Sequence, residues 1–256
     1  MNRLIRLFRS TTGTKAIVAV TGLVMLGFLV GHVAGNLKVF VPDVEGQPDI
    51  DRYAEFLRSI GEPMVPKNGV LWIARGTLLV SLVLHVVCVI RLALISKAAR
   101  PQGYAKSRVT SATLSARWMM WTGCGVLAFV VFHLLHLTVG VIDAESFTHG
   151  KVYANLHSAF HFLPFVLLYL VAMAVIAFHL YHGAWSMFQT LGFDNPDRNR
   201  GLRMLAIGIS VALFLGFSAV PLGFMTGILK APAQNSAAEI SVEEPNLTAN
   251  QVVEAP

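Results

Sequence analysis

Nine histidines punctuate a chain that is otherwise short of polar groups: His32, His85, His133, His136, His149, His157, His161, His179 and His182. Six of them, His32, His85, His133, His136, His179 and His182, fall deep inside long apolar runs. An imidazole is costly in hydrocarbon, so an ionisable residue there points to function. Neutral imidazole is above all a metal ligand.

Depth along each run sorts these residues. His32 lies 17 residues beyond Lys15 and His133 lies 16 beyond Arg117, about 26 and about 24 Å along a helix from the same edge. His85 lies 13 residues beyond Trp72 and His179 lies 15 beyond Pro164, about 20 and about 22 Å from the opposite edge. Two layers result: His32 with a histidine of the third run, and His85 with His179. In an up-down bundle, alternate helices face each other across a diagonal. A flat ring held there by one imidazole on each face is bis-histidine haem ligation. Two runs offer a choice, His133 or His136 and His179 or His182, because residues three apart share a helix face. Depth favours His179, since His182 sits about 7 Å too far along. His133 and His136 fit His32 equally well.

The elements that position these residues are transmembrane helices. The 256 residues are 55% hydrophobic and 13% charged, against about 25% charged in soluble domains. Stretches at 14–40, 70–95, 118–142, 162–190 and 203–229 each reach the roughly 20 apolar residues that cross a bilayer. Only helices satisfy a lipid-exposed backbone in such runs. Pro164 is placed where an early-turn proline is tolerated, and Pro221 falls inside the fifth run. The expected fold is therefore all-α, an integral membrane bundle of five transmembrane helices, four of them enclosing two stacked haem b groups. The first run exceeds a signal-peptide core, so no cleavable leader is expected.

Basic residues set the orientation. Arg3, Arg6, Arg9, Lys15, Lys97, Arg100, Lys106, Arg108, Arg198, Arg200 and Arg203 fall on one side. Lys38, Arg52, Arg58, Lys67, Lys151 and Lys230 fall on the other, together with Asp43, Glu45, Asp49, Asp51, Glu55 and Glu62. The N-terminus is expected in the cytoplasm and the C-terminus outside. The +6 net charge is thus explained by topology and excludes nucleic acid as a partner. The expected organisation is a basic N-terminus (1–13), a transmembrane domain (14–230) with an outer amphipathic helix at 49–61, and a polar tail (231–256). No Asp or Glu falls inside the five runs, so no transmembrane proton relay is expected.

Several pieces carry a family resemblance: GHVAGNLKVF (31–40), YAEFLRSIG (53–61), LVLHVVCVI (82–90), TGCGVLAFVVFH (122–133) and FHLYHGAWS (178–186). Over residues 15–228 the chain resembles the cytochrome b membrane anchor of succinate:quinone oxidoreductases, in its single-subunit, five-helix, dihaem form. The resemblance implies His32 and His133 as ligands of an outer haem b, and His85 and His179 as ligands of an inner one. The spacing from TG to His133 favours that residue over His136. The implied role is to dock a flavoprotein and an iron–sulfur subunit to the bacterial cytoplasmic membrane. Electrons from succinate would pass through haem to menaquinone or ubiquinone, or in the reverse sense to fumarate. The dicarboxylate site is not expected in this chain, which has no dinucleotide fingerprint and no cysteine cluster.

A quinone slot needs a donor beside flat apolar surface. Tyr181, His182, Trp185 and Ser186 offer one at the inner end of the fourth run. Tyr53, Glu55, Trp72, Arg75 and His161 offer another on the outer side. Cys88 and Cys124 share the inner layer with His85 and His179, and two Cys with two His is also the ligand set of a Rieske [2Fe-2S] cluster. Remaining alternatives are a di-iron hydroxylase, disfavoured because its ligands must converge on one membrane face, an unrelated transmembrane b-type cytochrome, and a haem-free anchor.

Overall fold

The computed structural model describes residues 10–99 and 114–231. Among these there is no β-strand, and five helices are long and apolar enough to cross a membrane. The spanning helices are α1 (Thr11–Asn36), α3 (Gly69–Ala98), α4 (Leu114–His133), α6 (Leu163–Thr190) and α7 (Asn199–Met225). Two shorter helices, α2 (Asp49–Ser59) and α5 (Val152–His161), do not span. The protein is a multi-pass, all-α membrane bundle.

Local chemistry sets the ends. The Ser10 hydroxyl accepts the Gly13 N–H at 3.0 Å and caps α1. A 3-10 turn, Leu37–Phe40, ends that helix four residues short of the expected limit. Pro164 sits in the first turn of α6, where its missing donor costs nothing. Pro221 lies within α7, which continues to Met225. The third span departs most from expectation. Beyond His133 the chain winds as a π-helix over Leu134–Val139 and stops at Gly140, with φ +77°. A Cβ there would collide with the Phe147 ring, so glycine is required by space as well as by conformation.

Helix α2 matches the amphipathic segment read from the sequence, whereas α5 emerges only in the structure. The fourth apolar run read from the sequence begins at residue 162 and leaves 152–161 without an assigned helix; the break between the two helices is one extended residue, Phe162 (φ −92°, ψ 107°). Both short helices lie at the end of the bundle where α1 finishes and α6 begins. Asp51, buried on α2, accepts the Tyr153 N–H at 2.9 Å in the first turn of α5. That places a carboxylate at a helix N-terminus, where orphan donors and the helix dipole both favour it. The Tyr153 hydroxyl donates to the Lys230 carbonyl at 3.0 Å. Asn155 pairs both ways with the Thr148 backbone, at 2.9 and 2.8 Å. Beneath these bonds Val39, Ile50, Leu156, Phe160, Val166 and Phe224 form one buried cluster.

Helix α1 packs on α3, α4 packs on α6, and α7 seals the bundle against α6 and α1. The diagonal pairs, α1 with α4 and α3 with α6, make no comparable approach. Of the basic residues counted for orientation, Arg3, Arg6, Arg9, Arg100, Lys106 and Arg108 lie outside the described residues, as does the tail beyond residue 231.

Asp51→Ala leaves the first-turn donors of α5 without their acceptor. The expected cost is about 1 kcal/mol, read as faster hydrogen exchange at Tyr153 and its neighbours with the spanning helices unchanged. Equal protection in the variant contradicts the capping role.

Candidate functional site

The histidines of α3 and α6 are held by an arrangement that occurs twice. On α1 the Thr21 hydroxyl donates to the Ile17 carbonyl at 2.7 Å and lies 3.2 Å from His85 Nδ1. On α4 the Thr122 hydroxyl lies 3.1 Å from the Trp118 carbonyl, 3.0 Å from the Met119 carbonyl and 3.2 Å from His179 Nδ1. A hydroxyl has one proton. With that proton given to its own helix, each threonine presents a lone pair to the ring, so Nδ1 of each histidine is the donor. Nε2 then carries the free lone pair, the form in which imidazole binds a metal. The next residue in each helix is glycine. A Cβ at Gly22 would meet His85 Cε1 at 3.5 Å, and one at Gly123 would meet His179 Cε1 at 3.4 Å. The rings therefore lie directly over the Thr-Gly steps.

The second layer lies about 16 Å further along α1 and α4, eleven residues on. His32 and His133 face each other with ring centroids 5.9 Å apart and planes at 81°. Phe28 stacks on His32 at 5.2 Å and Phe217 of α7 adjoins it at 5.6 Å. Phe129 adjoins His133 at 5.7 Å. His136 does not share this position. The π turn rotates it away from His32 onto α6, where its ring meets Phe165 at 4.4 Å. The Tyr169 hydroxyl is 3.4 Å from His133 Nδ1 and 3.1 Å from His136 Nδ1. His136 is only 2% exposed, and its Nε2 has no protein partner. It borders a cavity of about 10 Å³ lined also by Asp143, Ser146 and Asn155, the size of one water molecule.

The structure thus brings His32 to His133 and places His85 and His179 in one layer. Across each diagonal the carrying helices make no approach comparable to that of neighbouring helices. Three of these four imidazoles, those of His85, His179 and His133, have a hydroxyl at Nδ1, which leaves Nε2 as the nitrogen that a metal would take.

The other residues singled out by sequence are more scattered. Cys88 is buried and Cys124 exposed, both as free thiols, and among the described residues no three of His, Cys, Asp and Glu assemble as a metal-binding group. The cysteines therefore do not join His85 and His179 in a four-ligand set. On α6, Trp185 is covered by the Arg203 guanidinium at 4.7 Å, and the Ser186 carbonyl accepts from Thr190. Tyr181 and His182 are half-buried nearby. At the other end, Tyr53 lines an open hollow of about 350 Å³ with Lys38, Asp49, Arg52 and Phe56. Glu55 instead pairs with Lys67 and Arg58, Trp72 is covered by Arg75 at 5.0 Å, and His161 meets His157, so these do not line that hollow.

Thr21 and Tyr169 were not singled out from sequence, and Thr122 entered only through the TG-to-His133 spacing. The threonines had a signal: Thr-Gly followed by histidine eleven residues after the threonine occurs in both α1 and α4. Tyr169 had none beyond being a tyrosine within an apolar run. Comparison with protein-family models, curated proteins and solved structures gives no match to this chain.

Nitrogen NMR of the histidine-labelled apoprotein is expected to show His85 and His179 as the Nδ1-protonated tautomer. Thr21→Val should release His85 alone and Thr122→Val should release His179 alone. The opposite tautomer in the unaltered protein contradicts the assignment of donors.

Proposed function

We propose that this chain is the membrane-anchor and electron-transfer subunit of a succinate:quinone oxidoreductase, binding two b haems in two layers. The observation that carries the reading is the pair of imidazole sets, one in each layer, on helices whose diagonal partners are held apart. When bound, the haems supply one-electron transfer between an iron–sulfur subunit and menaquinone or ubiquinone across the bilayer.

The chain's own residues bind, orient and exclude water. His85 and His179 hold the inner haem iron through Nε2, with Thr21 and Thr122 fixing the plane and tautomer of each ring. Such partners keep a ligating imidazole oriented and more basic. His32 and His133 hold the outer haem iron, with Phe28, Phe129 and Phe217 excluding water around them and Tyr169 reaching His133. Gly22 and Gly123 keep the faces beside the inner ligands clear. Trp185, Tyr181 and His182 place donors and aromatic surface near the inner layer, which supports a quinone position there over the dispersed set at Glu55, Trp72, Arg75 and His161. In this reading the protein lies in a bacterial cytoplasmic membrane with its N-terminus inside, and the basic end of the bundle meets the flavoprotein and iron–sulfur subunits.

The purified complex is expected to show two low-spin b haems of different midpoint potential. His85→Ala or His179→Ala removes the inner haem and leaves most of the outer one, while His32→Ala or His133→Ala does the reverse. His136→Ala perturbs the outer haem without removing it, because that residue acts through Tyr169. Haem content, reduced-minus-oxidised spectra and electron paramagnetic resonance of each variant provide the check. Loss of the same haem from His85→Ala and His133→Ala overturns the two-layer pairing, and protein without haem overturns the reading altogether.

A further inference from the structure

Helix α5 ends in a histidine pair that neither layer uses. His157 and His161 stand one turn apart, with ring centroids 4.0 Å apart and planes at 40°. His161 is exposed at the bundle end and His157 is half-buried, its other side against Phe224 at 5.9 Å. Two imidazoles at this spacing on a helix can share one ion.

The proton positions favour that use. His161 Nδ1 lies 2.7 Å from the His157 carbonyl oxygen. A carbonyl only accepts, so Nδ1 carries the hydrogen and Nε2 of His161 is left with its lone pair. An Nδ1–H bond to a backbone carbonyl is also the usual outer-shell support of a metal-ligating histidine. Burial, and then the charge of neighbouring His161, hold the His157 pKa below the ordinary histidine value. The ring is therefore neutral near pH 7 and available to a cation.

We propose that His157 and His161 form a two-imidazole chelate for a late first-row divalent transition-metal ion, Cu²⁺, Ni²⁺ or Zn²⁺. Ligand type decides the class of ion. Imidazole suits these metals, whereas Ca²⁺ and Mg²⁺ require oxygen donors. Among the described residues no third His, Cys, Asp or Glu joins the pair, so water completes the coordination shell. The site is separate from the two intramembrane layers and does not depend on what they bind.

Its position gives an ion something to act on. His161 is the last residue of α5, and the single extended residue Phe162 separates it from α6. One turn of α5 closed by a metal stiffens this corner. Phe160, on the same turn, packs against Tyr169 at 5.0 Å, and Tyr169 in turn reaches His133 and His136.

The test uses the full chain in lipid nanodiscs, purified with a tag that contains no histidine. Calorimetric titration with Ni²⁺ and Zn²⁺ is expected to show one equivalent of binding, and Cu²⁺ resonance spectra are expected to show coupling to two nitrogens. His157→Ala and His161→Ala should each weaken binding by about tenfold or more. His149→Ala, which alters another histidine at the same end, should leave it unchanged. Helical content by circular dichroism confirms that each variant is folded, and a second pair of variants, His157→Gln and His161→Gln, replaces any that is not. Unchanged affinity in the folded variants at both positions, equal loss in His149→Ala, or equal binding of Mg²⁺ overturns the proposal.

Discussion

A threonine hydroxyl that donates to its own helix and accepts from the next is the interaction on which the interior depends. In hydrocarbon no water completes a hydrogen bond, so each polar side chain must find a protein partner. Thr21 and Thr122 meet that constraint for two groups at once: their own proton goes to a carbonyl of the same helix, and their lone pair receives an imidazole N–H from the adjacent one. Interhelical hydrogen bonds in membranes are individually modest, about 0.6 to 2 kcal/mol. Their importance here is directional, because each fixes which nitrogen of a histidine is left free. Exchange of either threonine for an aliphatic residue keeps the shape and removes that choice.

The same device explains why the chain contains two similar helix pairs. In α1 and α4 a Thr-Gly step precedes a histidine by eleven residues, about three turns. Each of these helices packs against the helix that follows it in order of spans, α1 on α3 and α4 on α6, and gives its threonine to that partner's histidine. Its own histidine belongs to the other layer. Every first helix of a pair thus contributes to both layers, once through a hydroxyl and once through an imidazole. The fifth spanning helix, α7, stands outside this scheme. It packs along α6 and α1, and Phe217 closes over His32.

Much of the fold was legible because the bilayer demands length. Apolar runs of the required size stand out wherever charge is scarce, and the five helices begin and end within a few residues of those runs. Boundaries were less legible where the chain leaves regular geometry. The π-helical turn at Leu134–Val139 has no composition of its own, yet it carries His136, whereas His133, just before it, is the residue that meets His32. Equal spacing on a regular helix could not separate the two. Helix α5 was hidden for a different reason: ten residues of mixed polarity are too short to stand out beside the long run of α6, and the backbone turn at Phe162 separates the two. Depth along a helix is legible from sequence because each residue rises about 1.5 Å, whereas hydrogen-bond partners such as Tyr169 require the helices to be placed first.

The second layer is less symmetrical than the first, and proton counting shows how it is ordered. The Tyr169 hydroxyl faces Nδ1 of both His133 and His136 but has a single proton, so it donates to one ring and accepts from the other. If His133 is to keep Nε2 free, its Nδ1 must carry the hydrogen and Tyr169 must accept it. Tyr169 then donates to His136 Nδ1, and the hydrogen of His136 is driven to Nε2. That atom has no protein partner, yet it borders a water-sized cavity lined by Asp143, Ser146 and Asn155, all able to accept. On that condition Tyr169 joins the two imidazoles through one directed pair of hydrogen bonds, and His136 Nε2 is the atom left facing the polar cavity. In the first layer the same task needs one hydroxyl per ring, because a carbonyl of the same helix lies within reach of each threonine. Tyr169 instead lies between two imidazoles, and His136 is the second group that shares its single proton.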